Sequence, residues 1–267
     1  MKKRTIYLIL LSVVTIAAIC FGTWVHLGYL GYPELTLTKG SFSLGFQSPG
    51  TTTIVKRPGS FDSVSLQLDH TDLELYRGDD YSVTYQGPEK ACPDFKVTNG
   101  ILTATQPSVK RLHLRTSDET VIITIPKDVT KLKEISLSSD NGDLTVEPDQ
   151  SLTLNTLKLK SSNGDLELSN CQGKTITAST DNGDISAEKL LFSDSDLASS
   201  NGDLTVSLAD SLKNYSISVT AESGDVTIGD NSYSLGDGDH SSIRVGDGQQ
   251  KMSLRSDNGD IDVEEDR

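Results

Sequence analysis

The 267 residues suffice for one or two domains, but 35% apolar and 6% aromatic content with 22 glycines suits short, turn-rich strands better than a thick helical core. The net charge of −14 includes +3 from Lys2, Lys3 and Arg4, which leaves −17 after residue 33 and disfavours a nucleic-acid partner. Of the three cysteines, Cys20 sits in an apolar N-terminal run, so Cys92 and Cys171 alone remain for the body and make no disulfide framework.

From its start the chain reads as a membrane element. Lys2-Lys3-Arg4 is followed by 29 residues without Asp, Glu, Lys or Arg, up to Glu34. Ile6 to about Leu27 is long enough to span a hydrocarbon core, which takes about 20 residues. Trp24, Tyr29 and Tyr32 stand where interfacial aromatics belong, and the basic cluster keeps the N-terminus in the cytoplasm. A cleaved or lipidated leader is the rival reading. Ala17-Ala18-Ile19-Cys20 supplies neither a small-x-small site nor a good lipobox, however. The expected layout is a cytoplasmic tail over 1–4, a single transmembrane helix over 5–30 and an extracellular body.

Residues 31–60 form a juxtamembrane segment. Leu35, Leu37, Phe42, Leu44 and Phe46 alternate before Ser48-Pro49-Gly50 and Arg57-Pro58-Gly59 break the pattern. Repeat bodies need a terminal unit over their open edge, so this segment is expected to be an N-terminal cap.

From residue 61 to 267 a repeat takes over. Asn141-Gly142-Asp143, Asn163-Gly164-Asp165, Asn182-Gly183-Asp184, Asn201-Gly202-Asp203, Ser223-Gly224-Asp225 and Asn258-Gly259-Asp260 recur with glycine spacings of 22, 19, 19, 22 and 35. Seven and five residues before each glycine, and two and four after it, stand apolar residues such as Leu157, Leu159, Leu166 and Leu168 around Gly164. Only Ser195 breaks this rule. Such alternation describes a strand, a glycine turn and a strand with one buried face, and a variable loop leading to the next unit.

The template extends to Val64, Leu66, Leu73 and Leu75 around Thr71, to Phe95, Leu102 and Ala104 around Asn99-Gly100, and to Leu112, Leu114, Val121 and Ile123 around Glu119. A degenerate unit fits Tyr233, Leu235, Ile243 and Val245 around Gly236 to Asp239. The predicted fold is an all-β solenoid of about eight to ten coils with a period of about 19–22 residues. The alternative is an antiparallel β-meander sandwich, because Asn-Gly between alternating runs is also a hairpin signal. In a stack, Cys92 and Cys171 would lie about four coils or 19 Å apart, beyond the roughly 7 Å that a disulfide spans, so both thiols are expected free.

At the turns, glycine is expected at positive φ, asparagine in the left-handed region and aspartate on nearby amides. With the recurring Ser/Thr-x-Asn-Gly-Asp-Leu/Ile pattern, as in Ser162 to Leu166 and Ser200 to Leu204, residues 61 to 267 resemble the bacterial DUF4097 β-strand-repeat family, catalogued as adhesins by presumption and often anchored by one membrane helix. The resemblance implies a β-solenoid at the cell surface and carries over no catalytic residue.

Chemistry is sparsely marked. The aspartates at equivalent turn positions, Asp143, Asp165, Asp184, Asp203, Asp225 and Asp260, raise calcium as a candidate, but the Gly-Gly-x-Gly-x-Asp nonapeptide of calcium-binding rolls is absent. Carboxylates are too abundant to mark a glycosidase pair, and a strongly negative body repels an acidic glycan. His70, His113 and His240 stand apart from any metal-ligand spacing, and no nucleophile elbow, phosphate loop or zincin motif occurs. The expectation is a non-enzymatic module with no catalytic, cofactor or metal residue. It would be membrane-anchored at the bacterial cell surface and bind a protein or a wall glycan, with an extracytoplasmic sensor of envelope stress as the alternative.

Overall fold

The computed structural model describes residues 32–38, 41–47, 51–107, 119–234 and 241–266. The predicted membrane helix over 5–30 and the tail over 1–4 lie outside these, as do Leu112, Leu114, His113, Leu235, the segment from Gly236 to Asp239, and His240. Among the described residues no helix is long and apolar enough to cross a membrane.

Two units make up the chain. One holds an antiparallel hairpin of β1 (Tyr32–Thr38) and β2 (Ser41–Gln47), in which Leu35 pairs with Leu44 and Leu37 with Phe42. The alternation read in residues 31–60 is thus a hairpin with a two-stranded sheet of its own. Strand β3 (Thr51–Lys56) belongs to the large sheet, where it pairs with β6 (Ser82–Pro88).

The other unit, Thr52–Pro107 with Asp118–Arg267, is all-β and solenoid-like. In its middle each level pairs a strand before the Asn-Gly-Asp phrase with one after it. These levels are β10 (Lys131–Asn141) with β11 (Leu144–Val146), and β12 (Leu152–Asn163) with β13 (Leu166–Ser169). Next come β14 (Cys171–Asn182) with the start of β15 (Ile185–Asn201), and the rest of β15 with β16 (Leu204–Leu208). Leading strands pair in parallel, so that Leu137, Leu159, Ala178 and Leu197 form one row. Trailing strands do likewise through Val146, Leu168, Ala187 and Val206. Because side chains alternate at period two, these rows and those of Ile135, Leu157 and Ile176 point inward and are at most 2% exposed. Each buried leucine stabilises the stack by about 1.5–3 kcal/mol.

The connecting loops turn out to be a third inward side. Leu132 pairs with Leu154, Leu152 with Cys171, and Gly173 with both Leu154 and Phe192. Leu152, Leu154, Cys171, Leu190 and Phe192 are all buried. A Cβ on Gly173 would stand 1.9 Å from the Leu154 carbonyl oxygen and 3.2 Å from the Phe192 ring, so glycine there is a matter of space.

Chain order and spatial order part company at both ends. On one side of β10 and β11 lie β4 (Ser63–Leu68) and β5 (Thr71–Gly78), then β8 (Ile101–Thr105) and β9 (Glu119–Pro126), then β7 (Asp94–Thr98) and β6 running antiparallel. The chain therefore passes from β5 to the outermost level and returns to fill the one it skipped. Beyond β15 and β16 lie β21 (Gln250–Asn258) and β22 (Ile261–Glu265), then β17 (Tyr215–Ser223) and β18 (Asp225–Ile228). Antiparallel β20 (Ser241–Val245) and β19 (Asn231–Ser234) close that end. Here the level between β16 and β18 stays open until the chain returns as β21 and β22.

Three expectations change accordingly. Asn99-Gly100 does not centre a coil: φ values of 54° and 79° make it the two-residue turn of the β7–β8 hairpin. The trailing strand read around Glu119 belongs with β8, since β8 and β9 stack on β4 and β5 respectively. Tyr233, Ile243 and Val245 pack on the core from a reversed level. Antiparallel pairing, which the sandwich alternative required throughout, covers the ends of a parallel stack, where it shields the edges that parallel stacking leaves open.

Candidate functional site

The repeated phrase forms one corner of the solenoid, and each of its residues bonds to the neighbouring level. Asn163, Asn182, Asn201 and Asn258 each donate Nδ2 to the Oδ1 of the asparagine below, Asn141, Asn163, Asn182 and Asn201 respectively, at 2.9–3.1 Å. His70 closes the row at one end, with Nδ1 2.9 Å from Asn141 Nδ2. Ser223 closes it at the other, its hydroxyl donating to Asn258 Oδ1 at 3.2 Å.

The aspartates form a second row. Asp143, Asp165, Asp184, Asp203 and Asp260 each accept, on Oδ1, the backbone N–H of the aspartate one level on, at 2.8 Å, and Asp72 accepts that of Asp143 at 3.0 Å. The carboxylates therefore cap amides across levels, where a local turn bond was expected. Among the described residues, no group of three or more His, Cys, Asp or Glu is placed to hold a metal ion.

The glycines serve close approach. Gly142, Gly164, Gly183 and Gly202 do not sit at the expected positive φ, and neither do the repeat asparagines, whereas Gly224 and Gly259 do, at 111° and 156°. A Cβ on Gly164, Gly183 or Gly202 would stand 2.0–2.2 Å from the carbonyl oxygen of the glycine in the adjacent level. That carbonyl has a side-chain partner which the sequence reading passed over. Ser161, Thr180, Ser199 and Ser256, each three residues before a repeat glycine, donate a hydroxyl to Gly142, Gly164, Gly183 and Gly202 at 2.9–3.0 Å. Their signal lay in parity: a hydroxyl recurring at an odd offset lies on the buried face and needs an acceptor there.

The two outward faces differ in charge. On the trailing strands the outward positions carry Asp72 and Glu74, Asp143 and Glu147, Asp165 and Glu167, Asp184 and Glu188, Asp203, Asp260 with Asp262 and Glu264, and Asp225, separated by Ser, Thr and Tyr76. Among the described outward positions of these strands, from β5 to β18, the exposed cation is Lys189, at the register shift of β15 between Ala187 and Leu190, where it stands 3.9 Å from Asp266. On the leading strands, Lys158 and Lys160 of β12 and Lys251 and Arg255 of β21 alternate with Ser, Thr, Glu134, Asp194 and Asp196. Lys158 bonds Glu134 at 3.0 Å.

Crowding on the acidic face shows in its titration. Burial, then the charges of Asp72, Glu147 and Glu167, raise the Glu74 carboxyl. Burial, then Glu147, Asp143 and Asp165, raise that of Glu167. Tyr76 is pushed up to about 12 by burial and by Glu74, Glu147 and Glu167.

The remaining candidates have structural surroundings. Cys92 and Cys171 are both free, with β8, β4, β10 and β12 between the level of Cys92 and that of Cys171, and burial pushes the Cys171 thiol up to about 12. Arg77, its side chain 1% exposed, donates to the carbonyls of Lys127 at 2.8 Å and Ser151 at 3.1 Å, tying the end of β5 to the approaches of two later levels. Ser195 is buried with no partner for its hydroxyl, between Ile176 and Met252 in register.

Comparison with solved structures returns bacterial proteins of low sequence identity. A presumed adhesin from Bacteroides fragilis is 17% identical, with 81% of this chain and 97% of that one aligned and a TM-score of 0.44. A presumed cell-adhesion protein from Clostridium sporogenes is 15% identical over 81% of this chain and 100% of that one, with a TM-score of 0.42. A presumed lipid-binding protein from Parabacteroides distasonis is 14% identical over 81% and 97%, with a TM-score of 0.30. No curated protein matches the chain. The Toastrack DUF4097 family model matches residues 61–207, more than half of the sequence and the stretch that contains β4 to β15 with their laddered corners, and the chain therefore belongs to that family.

Proposed function

We propose that this chain is a non-enzymatic binding module, anchored by residues 5–30 in the cell membrane with its repeat body outside, and that it presents the trailing-strand face to another protein. The observation that carries the reading is that face itself: a regular sheet of carboxylates and hydroxyls from β5 to β18 in which acidic residues far outnumber the exposed cation, Lys189, which is itself paired with Asp266 at 3.9 Å. A low-dielectric, single-sign surface attracts an oppositely charged partner and repels an anionic polymer. A basic protein surface is therefore favoured over an acidic wall glycan. The anchor rests on Lys2-Lys3-Arg4 and the uncharged run behind them.

Crosslinking in intact cells, followed by identification of the captured proteins, tests the partner. Capture should fall when Glu74, Glu147 and Glu167 are replaced together by Gln and when salt is raised. Capture unchanged by both would remove the acidic face from the reading. Protease added to wall-stripped cells should digest the body, and full protection behind an intact membrane would refute the topology.

A further inference from the structure

The level made of β21 and β22 enters a slot whose two walls precede it in sequence. Leading strand β21 pairs in parallel with β15 on one side and β17 on the other, while β22 pairs with β16 and β18. Met252, Leu254, Ile261 and Val263 are buried there, and Asn258 completes the corner row between Asn201 and Ser223. The loop from Ala209 to Asn214 bridges the slot, and Glu265 Oε1 accepts from the Ser211 hydroxyl at 2.8 Å and the Leu212 amide at 2.7 Å. Nothing in these contacts depends on which chain supplies the strands.

The connection that leads into the slot is short and crowded. The chain leaves β20, on one side of β17, and reaches β21, on its other side, through Gly246-Asp247-Gly248-Gln249. Gly246 takes φ +77°, and a Cβ on it would stand 2.3 Å from the Tyr215 carbonyl oxygen. On Gly248 a Cβ would stand 2.0 Å from the Asn214 carbonyl carbon. Short hinges under such constraint favour exchange of the element they carry, because opening the hinge relieves the crossing while every packing contact is remade in another copy.

We propose that residues 250–266 are an exchangeable coil, and that the slot between β15–β16 and β17–β18 accepts this coil from a second copy of the same chain, giving a reciprocal dimer. The Asn99-Gly100 end has no counterpart, because β8 and β9 fill their slot from mid-chain and lead on into β10.

The test uses the full chain in detergent, with Cys20, Cys92 and Cys171 replaced by Ala. Asp196 and Ser253 are exposed register partners across the slot, within the reach of a disulfide if replaced by cysteine. Two differently tagged chains, one Asp196→Cys and the other Ser253→Cys, are co-expressed and oxidised. A mixed disulfide between the two tags is expected. Its yield should rise several-fold when both chains also carry Gly248→Ala, which blocks the tight crossing, and fall when three residues inserted after Asp247 lengthen it. A Gly248→Ala chain that remains monomeric, or that aggregates without forming the mixed disulfide, overturns the proposal.

Discussion

Between Lys131 and Leu208 the chain lays each level directly on the one before, whereas at either end it leaves a level open, builds beyond it and returns. The corners differ in step. In the middle every corner is Asn-Gly-Asp, because each glycine must admit the carbonyl of the corner residue below it, Thr71 for Gly142 and the preceding repeat glycine for Gly164, Gly183 and Gly202. The corner of β4 and β5 carries His70 and Thr71 where the others carry Asn and Gly, and its outer neighbour, the level of Glu119, has no Asn-Gly-Asp turn. The small residue is thus demanded by the carbonyl of the level below, at Gly259 and Gly224 as in the middle, and the demand lapses at the His70-Thr71 corner.

The comparison is broken most sharply at glycine. Gly183→Ala should cost about 3 kcal/mol or more, since overpacking against fixed backbone forces the levels apart. Gly100→Ala, at the β7–β8 turn, meets only the Asp62 carboxylate at 3.2 Å, and its positive φ should cost about 1 kcal/mol. Urea unfolding of both variants decides, and equal losses would mean that close approach is not what the middle glycines provide.

A smaller difference separates two changes at one aspartate. Asp184→Ala leaves the Asp203 amide without its acceptor and should cost about 1 kcal/mol. Asp184→Asn keeps an oxygen in place and relieves repulsion along the row, so its melting temperature should match the wild type at moderate salt. Ser195→Val should raise stability by about 1 kcal/mol, because it removes an unpartnered buried hydroxyl and restores the apolar residue that the other levels carry. A loss there would show that the Ile176 to Met252 row has no room for the added methyl groups.

The least effect is expected from pH. Glu74 and Glu167 are held above 4.5, so the folded state binds their protons more tightly than the unfolded chain does. Stability should therefore rise as pH falls through those raised values, and the gain is complete below 4.5. Asp62 is held below 3.8 by Lys133, Asp94 by Lys96 and Asp210 by the Ser211 amide. Their contribution is present above 3.8 and is lost as pH falls through their folded values. The melting temperature should climb slightly from neutral pH and then drop in strong acid; a monotonic fall would contradict the crowded acidic face.

The sequence made the inward rows legible because burial imposes a period of two, and Leu157, Leu159, Leu166 and Leu168 obey it without exception. It did not disclose the order of levels. Parallel strands of one repeat are interchangeable in pattern, so Met252 and Leu254 fit beside Leu197 as well as beside Val219 and end between them. The corner was half legible. Asn-Gly-Asp reads locally as a turn, and only the neighbouring level shows that the side chains reach across. Even so, Asn99-Gly100 is the turn that local rules describe, and the other five Asn-Gly pairs are not. The acidic face needed no more than the strand assignment to be seen, since its residues sit at odd steps from the buried ones.

The asparagine row has a sense. Every amide in it gives its hydrogen toward His70 and takes one from the direction of Ser223, so the side-chain dipoles align along the corner much as peptide dipoles align along a helix. Such a line ends properly only with an acceptor at the giving end and a donor at the taking end. The His70 imidazole, in the tautomer that leaves Nδ1 unprotonated, and the hydroxyl of Ser223 are those two groups, so the line meets a matching partner at both ends.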